Sequence, residues 1–268
     1  MVTTAPAPAI DIPRIAPARA REVNLAEARA VVDALRALDP ADWTRDTACA
    51  GWTVRDVTAH MVGQYEELPR PWLMIGRTLR ARKRYPRLTP LHGHNQCQVD
   101  DRRSVLARDL IALLSRFGPQ GVRAADRMPA AVRRRIRLSP LFPESKELPE
   151  DSMDYMDRIL LARDPWMHRV DITDAAGHEL VLDDHDKEIV GQVLLDLALS
   201  WRGPPILLDL SGPAGGRWSL STGAPAVTVR ADAVALMRHL SGRAPLDESA
   251  YEGAPDARAT VAAARVVF

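Results

Sequence analysis

Cysteine is nearly absent: Cys49 and Cys97 are the only two in 268 residues. Two thiols make no disulfide framework and suit a reducing compartment better than secretion, so both read as small buried or half-buried side chains. A charge imbalance is missing too. The formal net charge of +1 excludes a chain that gathers nucleic acid through its overall field. Nowhere does the sequence approach the roughly eighteen uninterrupted apolar residues that a bilayer span needs. The Pro- and Ala-rich start has no basic region ahead of an apolar core, and Asp11 and Pro13 interrupt any candidate core, so it does not read as a signal peptide. No internal repeat or long low-complexity tract occurs. The expectation is a soluble, cytoplasmic protein with no membrane and no nucleic acid among its partners.

What the sequence does contain is enough apolar residue, 46%, to build cores, in a length comfortable for two domains. Residues 1–20 are expected as a flexible N-terminal arm. A helical pattern runs over 23–38 and ends at Asp39-Pro40. Thr53 is placed to cap a helix that stops near Pro69, with Asp56 at its third position forming a near-capping box. A basic helix follows over 71–85, and another is expected from near Asn95 to Gly118-Pro119. After an Arg-rich connection over 120–149, a last helix covers 152–177, with Gly177 as its C-cap. The fold class expected for 21–180 is therefore an α-helical four-helix bundle. Residues 181–268 change character: a helix over 186–201, short β-like runs near 206, 217 and 226, a helix over 232–243, then another strand and helix. That reads as a smaller α+β domain, with the boundary in the polar, acidic stretch 178–186.

Three residues carry candidate chemistry. His60 lies beside the apolar stripe of its helix (Val54, Val57, Met61), and an imidazole turned toward a core needs a hydrogen bond, a carboxylate or a metal. Asp164 and His168 stand four residues apart, one turn on one helix face, where both could hold one ion. Pro165 complicates this: Asp164 could equally be an N-cap with Pro165 at the first helical position, or the helix could run through with a kink. Two imidazoles and one carboxylate with open positions suit a catalytic site for zinc, nickel or iron.

The stretch "GWTVRDVTAHMVG" resembles the second-helix signature of DinB-like metal-binding bundles, in the branch named for mycothiol-dependent maleylpyruvate isomerase. In that pattern the histidine of Trp-Thr-Val-x-Asp-Val-x-x-His, here His60, is the first metal ligand. A later segment of Arg, an acid, three residues, His and then Asp matches Arg163, Asp164, His168 and Asp171, and its acid and His are the other two ligands. The resemblance covers nearly the whole chain after about residue 22, including a sterol-carrier-like α+β module whose penultimate helix ends in Gly-Arg, as Gly242-Arg243 does here. Asp164 departs from the pattern, which usually has Glu. The resemblance implies a divalent metal and mycothiol as cofactors, with the metal activating the thiol for addition to a small electrophilic or anionic substrate, by isomerisation or S-transfer.

Other features stand beside that reading. No acid occurs between Glu67 and Asp100, where Arg70, Arg77, Arg80, Arg82, Lys83, Arg84 and Arg87 make either a solvated basic face or a patch for an anionic ligand. His92, His94 and Cys97 lie close together in sequence but match no zinc spacing. Asn95 and Gln98 are candidate amide contacts to a polar cofactor, and Arg243 is a candidate for a bidentate carboxylate contact. Two further functions fit the same residues: a metal-dependent enzyme of specialised metabolism without a thiol, its pocket lined by Trp72, Trp166 and Trp201, or a non-catalytic ligand-binding bundle.

Overall fold

The computed structural model describes residues 5–268. It comprises two compact units, Pro17–Leu180 and a second formed by residues 5–16 with Val181–Phe268. In chain order the first unit contains α1 (Pro17–Arg36), α2 (Val54–Glu67), α3 (Pro71–Arg84), α4 (Pro90–Asp100), α5 (Ala107–Ala125), the short α6 (Ala130–Arg133) and α7 (Met153–Tyr155), and α8 (Leu161–Ala176). Helices α1, α2, α5 and α8 pack on one another as a four-helix bundle, while α3 and α4 form a pair laid against α2. The bundle core contains Leu35, Val57, Met61, Leu110, Leu114 and Ile172. Removing each of these side chains from water stabilises the unit by about 1.5–3 kcal/mol.

Local chemistry sets the helix that carries His60. Thr53 accepts from the Asp56 backbone N–H while the Asp56 carboxylate accepts from Thr53, so the capping box closes at the start of α2. The helix expected from Asn95 to Pro119 is two helices: α4 begins earlier, at Pro90, and a break at 101–106 separates it from α5. Arg55 holds that break, its Nη2 donating to the carbonyls of Arg102, Arg103 and Val105 at 2.6, 2.6 and 2.8 Å. Nor does Pro119 end α5, which continues to Ala125; proline there forfeits one backbone bond, which the surrounding packing outweighs.

The helical run that ends in α8 is continuous from its Ser152 N-cap. It passes through α7 and a π-helical turn, Met156–Leu160, before α8 begins. Pro165 lies inside α8, and the residue flanking the start of α8 is Leu160. Asp164 is therefore not an N-cap: the chain runs through the proline. A π-turn and a proline within one helical run both disturb the regular bonding ladder, in the segment that carries two candidate ligands. Gly177 terminates α8 with φ +69°, a left-handed conformation that glycine adopts without Cβ strain, and the His178 N–H closes on the Thr173 carbonyl at 2.9 Å. A buried bidentate pair fixes α8 to α1: Arg169 donates to both carboxylate oxygens of Glu27, at 2.9 and 3.0 Å.

The second unit contains α9 (Asp184–Ser200), α10 (Ala233–Leu240), α11 (Pro255–Ala262) and a five-stranded sheet. In chain order the strands are β1 (Ala7–Pro8), β2 (Ile206–Ser211), β3 (Gly216–Leu220), β4 (Val227–Asp232) and β5 (Tyr251–Gly253), and in space the order is β1-β3-β2-β4-β5. β2 and β3 form an antiparallel hairpin, and β4 lies parallel to β2. The mostly helical chain with a smaller α+β portion is the expected fold class. The arm expected to be loose over 1–20 is not loose where it is described. Ala7–Pro8 pairs with Trp218–Ser219 as an edge strand, Ala9 and Ile15 are buried, and Arg14 pairs with Asp196 at 2.6 Å. Pro17 onward already belongs to α1, and residues 1–4 lie outside the described part. Among the described residues no helix is long and apolar enough to cross a membrane.

Candidate metal centre

His60, Asp164 and His168 meet inside the bundle. One ligand-type atom from each lies within 4.8 Å of the others. His60 Nε2 stands 3.6 Å from Asp164 Oδ2, and His168 Nε2 stands 3.5 Å from Asp164 Oδ1. The two imidazoles meet edge to face, with ring centroids 5.2 Å apart. Two helices produce this arrangement: α2 delivers His60, and α8 delivers Asp164 and His168 from successive turns. Both histidine side chains are nearly sealed from solvent, while that of Asp164 keeps 21% of its exposure. The carboxylate marks the open side.

Each candidate ligand has a supporting contact. His60 Nδ1 lies 2.7 Å from Gln98 Oε1 on α4. Gln64, one turn beyond His60, donates to Asp164 Oδ2 at 3.0 Å. His168 Nδ1 lies 3.3 Å from Asp171 Oδ2, and the Cys49 thiol donates to that same oxygen at 3.3 Å. Trp52 tilts against the His60 ring at 5.2 Å and donates its indole N–H to Gln96 at 3.0 Å. In each histidine, Nδ1 is occupied by a neighbour and Nε2 faces the carboxylate, which is how outer contacts aim imidazoles at an ion.

Electrostatics bind the three together. Burial disfavours charge on Asp164, but His168 and His60 outweigh it and, with the Gln64 bond, hold the carboxyl well below its usual range. Burial likewise lowers the affinity of His168 for a proton, yet Asp164 and then Asp171 raise it to about 10. In the metal-free protein a proton on His168 thus stands where a cation would stand.

The donor set fits a divalent ion. Ligand atoms about 2.0–2.2 Å from zinc are about 3.3–3.6 Å apart in tetrahedral coordination. Here one ligand-type atom from each of the three residues lies within 4.8 Å of the others, and each imidazole Nε2 stands 3.5–3.6 Å from an oxygen of the same carboxylate, so the three side chains can close on one ion by small movements. Cys49, His168 and Asp171 form a second group of ligand-type atoms, but it uses the other nitrogen of the same imidazole.

The remaining sequence candidates fall in different places. Gln98 reaches the site through His60; Asn95, half-buried on α4, is in none of the site contacts described above. Arg243 lies in the second unit, just past α10. His92 is exposed, while His94 is buried against Glu67 and Thr78 at 2.9 and 3.0 Å; with Cys97 these do not form a metal group among the described residues. Trp72 is 64% exposed on α3 whereas Trp166 is wholly buried, so those two rings do not line one surface pocket. The basic stretch is partly consumed by acids that flank it in sequence. Arg77 donates to Glu67, Asp101 and Glu66 at 2.6, 2.8 and 2.9 Å, and Arg80 to Asp101 at 2.5 Å.

Sequence reasoning gave no role to Gln64, Asp171, Cys49 or Trp52. Gln64 and Asp171 had a signal, lying one turn from His60 and His168 on the same helices. Trp52 opens the Trp-Thr-Val signature but was given no role there, and Cys49, in the loop before α2, had no signal.

No curated protein matches this chain. Two solved structures share its fold, the mycothiol-dependent maleylpyruvate isomerase and a histidine-to-alanine mutant of it. Each is 15% identical, with 86% of this chain and 90% of that chain covered at a TM-score of 0.56. Residues 25–173, which include all of His60, Asp164 and His168, match the family model described as the mycothiol maleylpyruvate isomerase N-terminal domain. With more than half its length inside that model, the chain belongs to the mycothiol maleylpyruvate isomerase N-terminal domain family.

Proposed function

We propose that the protein is a metal-dependent enzyme of the mycothiol-dependent maleylpyruvate isomerase type, with His60, Asp164 and His168 as metal ligands. The observation that carries this is the convergence of two buried imidazole Nε2 atoms on the two oxygens of one carboxylate, at 3.6 and 3.5 Å. A divalent ion there would lower the pKa of a bound thiol and supply a thiolate at neutral pH. The chain's own residues prepare for that chemistry. Gln98 and Asp171 fix the imidazole planes, Trp52 covers one side of His60, and the partly exposed Asp164 leaves the approach for a small electrophile. Family membership supports mycothiol as the thiol. Zinc fits the donor set, as do nickel and iron.

Metal analysis of the purified protein tests the reading. About one divalent ion per chain is expected, lost in His60→Ala and in His168→Ala. Metal retained by both variants overturns the site. Turnover of an electrophilic substrate is expected to depend on added mycothiol; turnover by the metal-loaded protein without any thiol would instead establish the thiol-free enzyme.

A further inference from the structure

Helix α3 is turned inside out. It buries Arg77, Thr78 and Ala81, while Trp72, Ile75 and Leu79 stand 64%, 47% and 55% exposed. A surface helix ordinarily does the reverse, hiding its apolar stripe and wetting its polar one. Polar partners fix the inversion. Arg77 is drawn inward by Glu67, Asp101 and Glu66, and Thr78 meets His94 at 3.0 Å while donating to the Met74 carbonyl at 2.8 Å.

The three exposed apolar side chains share one helix face. Spaced at i, i+3 and i+7, they make a stripe about 10 Å long on the side away from the buried residues. Leu73 and Met74, which are half-buried, lie outside that stripe. Arg82 and Lys83 carry the same face onward to the end of the helix, and Arg87 follows it.

Charge decides what this face would meet. No acid occurs between Glu67 and Asp100, so the stripe is continued by cations alone. Arg80 and Arg84 are each matched by an acid at the end of α4, Asp101 at 2.5 Å and Asp100 at 3.3 Å. Arg82, Lys83 and Arg87 are exposed, and among the described residues they have neither an ion pair nor a hydrogen bond. Three unmatched cations beside exposed Trp, Ile and Leu are what a helix lying in an anionic lipid interface carries. The apolar side chains enter the headgroup boundary, and the long Arg and Lys stems keep their charges among the phosphates. The stripe is on the convex outer side of a single helix, around which a fluid interface can close; a protein partner would need a groove to bury it. A second copy docked through the same face would bring the same cations and no acid from α3 to match them.

We infer that the outer face of α3 docks the protein on anionic phospholipid membranes, inserting Trp72, Ile75 and Leu79 and setting Arg82, Lys83 and Arg87 against lipid phosphates. This is contact with an interface and not a span, which no described helix can form. It replaces the expectation of no membrane partner, whose grounds concern spans. It is independent of the metal site.

Co-sedimentation of the full chain with vesicles tests it, using phosphatidylcholine alone and an equal mixture of phosphatidylcholine and phosphatidylglycerol. Binding is expected with the mixture only, and should weaken as salt is added, because exposed charges are screened. Trp72→Ser/Leu79→Ser changes exposed positions, so it should keep the wild-type melting temperature while losing about tenfold or more in vesicle affinity. Lys83→Gln should lose about fivefold, and Arg82→Gln/Lys83→Gln/Arg87→Gln on the order of a hundredfold. No binding to the mixture overturns the inference. So does equal binding to both kinds of vesicle, or binding unchanged in the double and triple variants. Without vesicle binding, a wild-type dimer lost in Trp72→Ser/Leu79→Ser would give the face to a second copy. Binding of polyglutamate, lost in the triple variant, would then give it to an acidic protein.

Discussion

A Cβ added to Gly63 would stand 2.6 Å from Gln98 Cβ. Gly63 is one turn past His60 on α2, so the missing side chain is what allows α4 to approach closely enough for the Gln98 amide to meet the imidazole. Gly63→Ala must push Gln98 aside. Overpacking of this kind costs about 1–3 kcal/mol, and loss of an outer contact weakens metal binding about 10–100-fold. Thermal denaturation with a zinc titration checks both. A lower melting temperature with unchanged zinc affinity would show that Gln98 does not matter to the ligand.

The Glu27–Arg169 pair is a buried bidentate tie between α1 and α8, with side chains 0% and 3% exposed. Deleting one partner strands a buried charge. Glu27→Leu is expected to destabilise the protein by about 3–5 kcal/mol. Removing both charges in Glu27→Leu/Arg169→Met should recover much of that loss, because the pair itself had to be desolvated. Urea denaturation of the two variants measures the difference.

Much of the fold was written locally. The Thr53–Asp56 box and Gly177 depend on neighbours a few residues away, and both were legible. The break at 101–106 was not, because it is held by Arg55, some fifty residues earlier. The buried part of the arm was masked by its Pro- and Ala-rich composition, which hides that Arg14 finds Asp196. At the site, periodicity put His60 beside the core and His168 one turn from Asp164. That the two helices face each other is a tertiary fact; here only the resemblance foretold it. The role of Asp164 stayed open at sequence level because Asp-Pro both starts helices and interrupts them, and the preceding π-turn left no sequence signal. Gln98 was read as a ligand contact, whereas its described partners are His60 and His94.

Asp157 sits in that π-turn, 6% exposed, and its Oδ1 has no hydrogen-bond partner. Burial pushes its carboxyl up to about 7, with Arg133 pulling down and Asp154 pushing up. A carboxyl raised above its unfolded value near 4 contributes stability that is complete below that value and is lost as pH rises through about 7. Asp157→Asn removes the dependence. The variant is expected to match the wild type near pH 4 and to exceed it at pH 8 by about 1–3 kcal/mol. Melting temperatures across that range decide it; parallel curves for the two proteins would contradict the expectation.

Asp164 and Asp171 flank His168 on one helix, and the same isosteric change should affect them differently. Asp164 faces the Nε2 atoms of both histidines, whereas Asp171 meets only the Nδ1 side of His168. Asp164→Asn keeps the shape but loses the anionic ligand, so zinc retention should be abolished. Its melting temperature should fall as well, because the buried His168 imidazolium loses the carboxylate that raises its proton affinity; no cap is lost, since Leu160, not Asp164, flanks the start of α8. Asp171→Asn retains an oxygen able to accept from His168 Nδ1, so the imidazole stays oriented while the charge behind it disappears. Zinc affinity should fall about 10–100-fold without being abolished. Competition against a chelator of known affinity ranks the two variants. Equal losses would mean that both carboxylates ligate, and the reverse order would place the ion on the Cys49 side of His168.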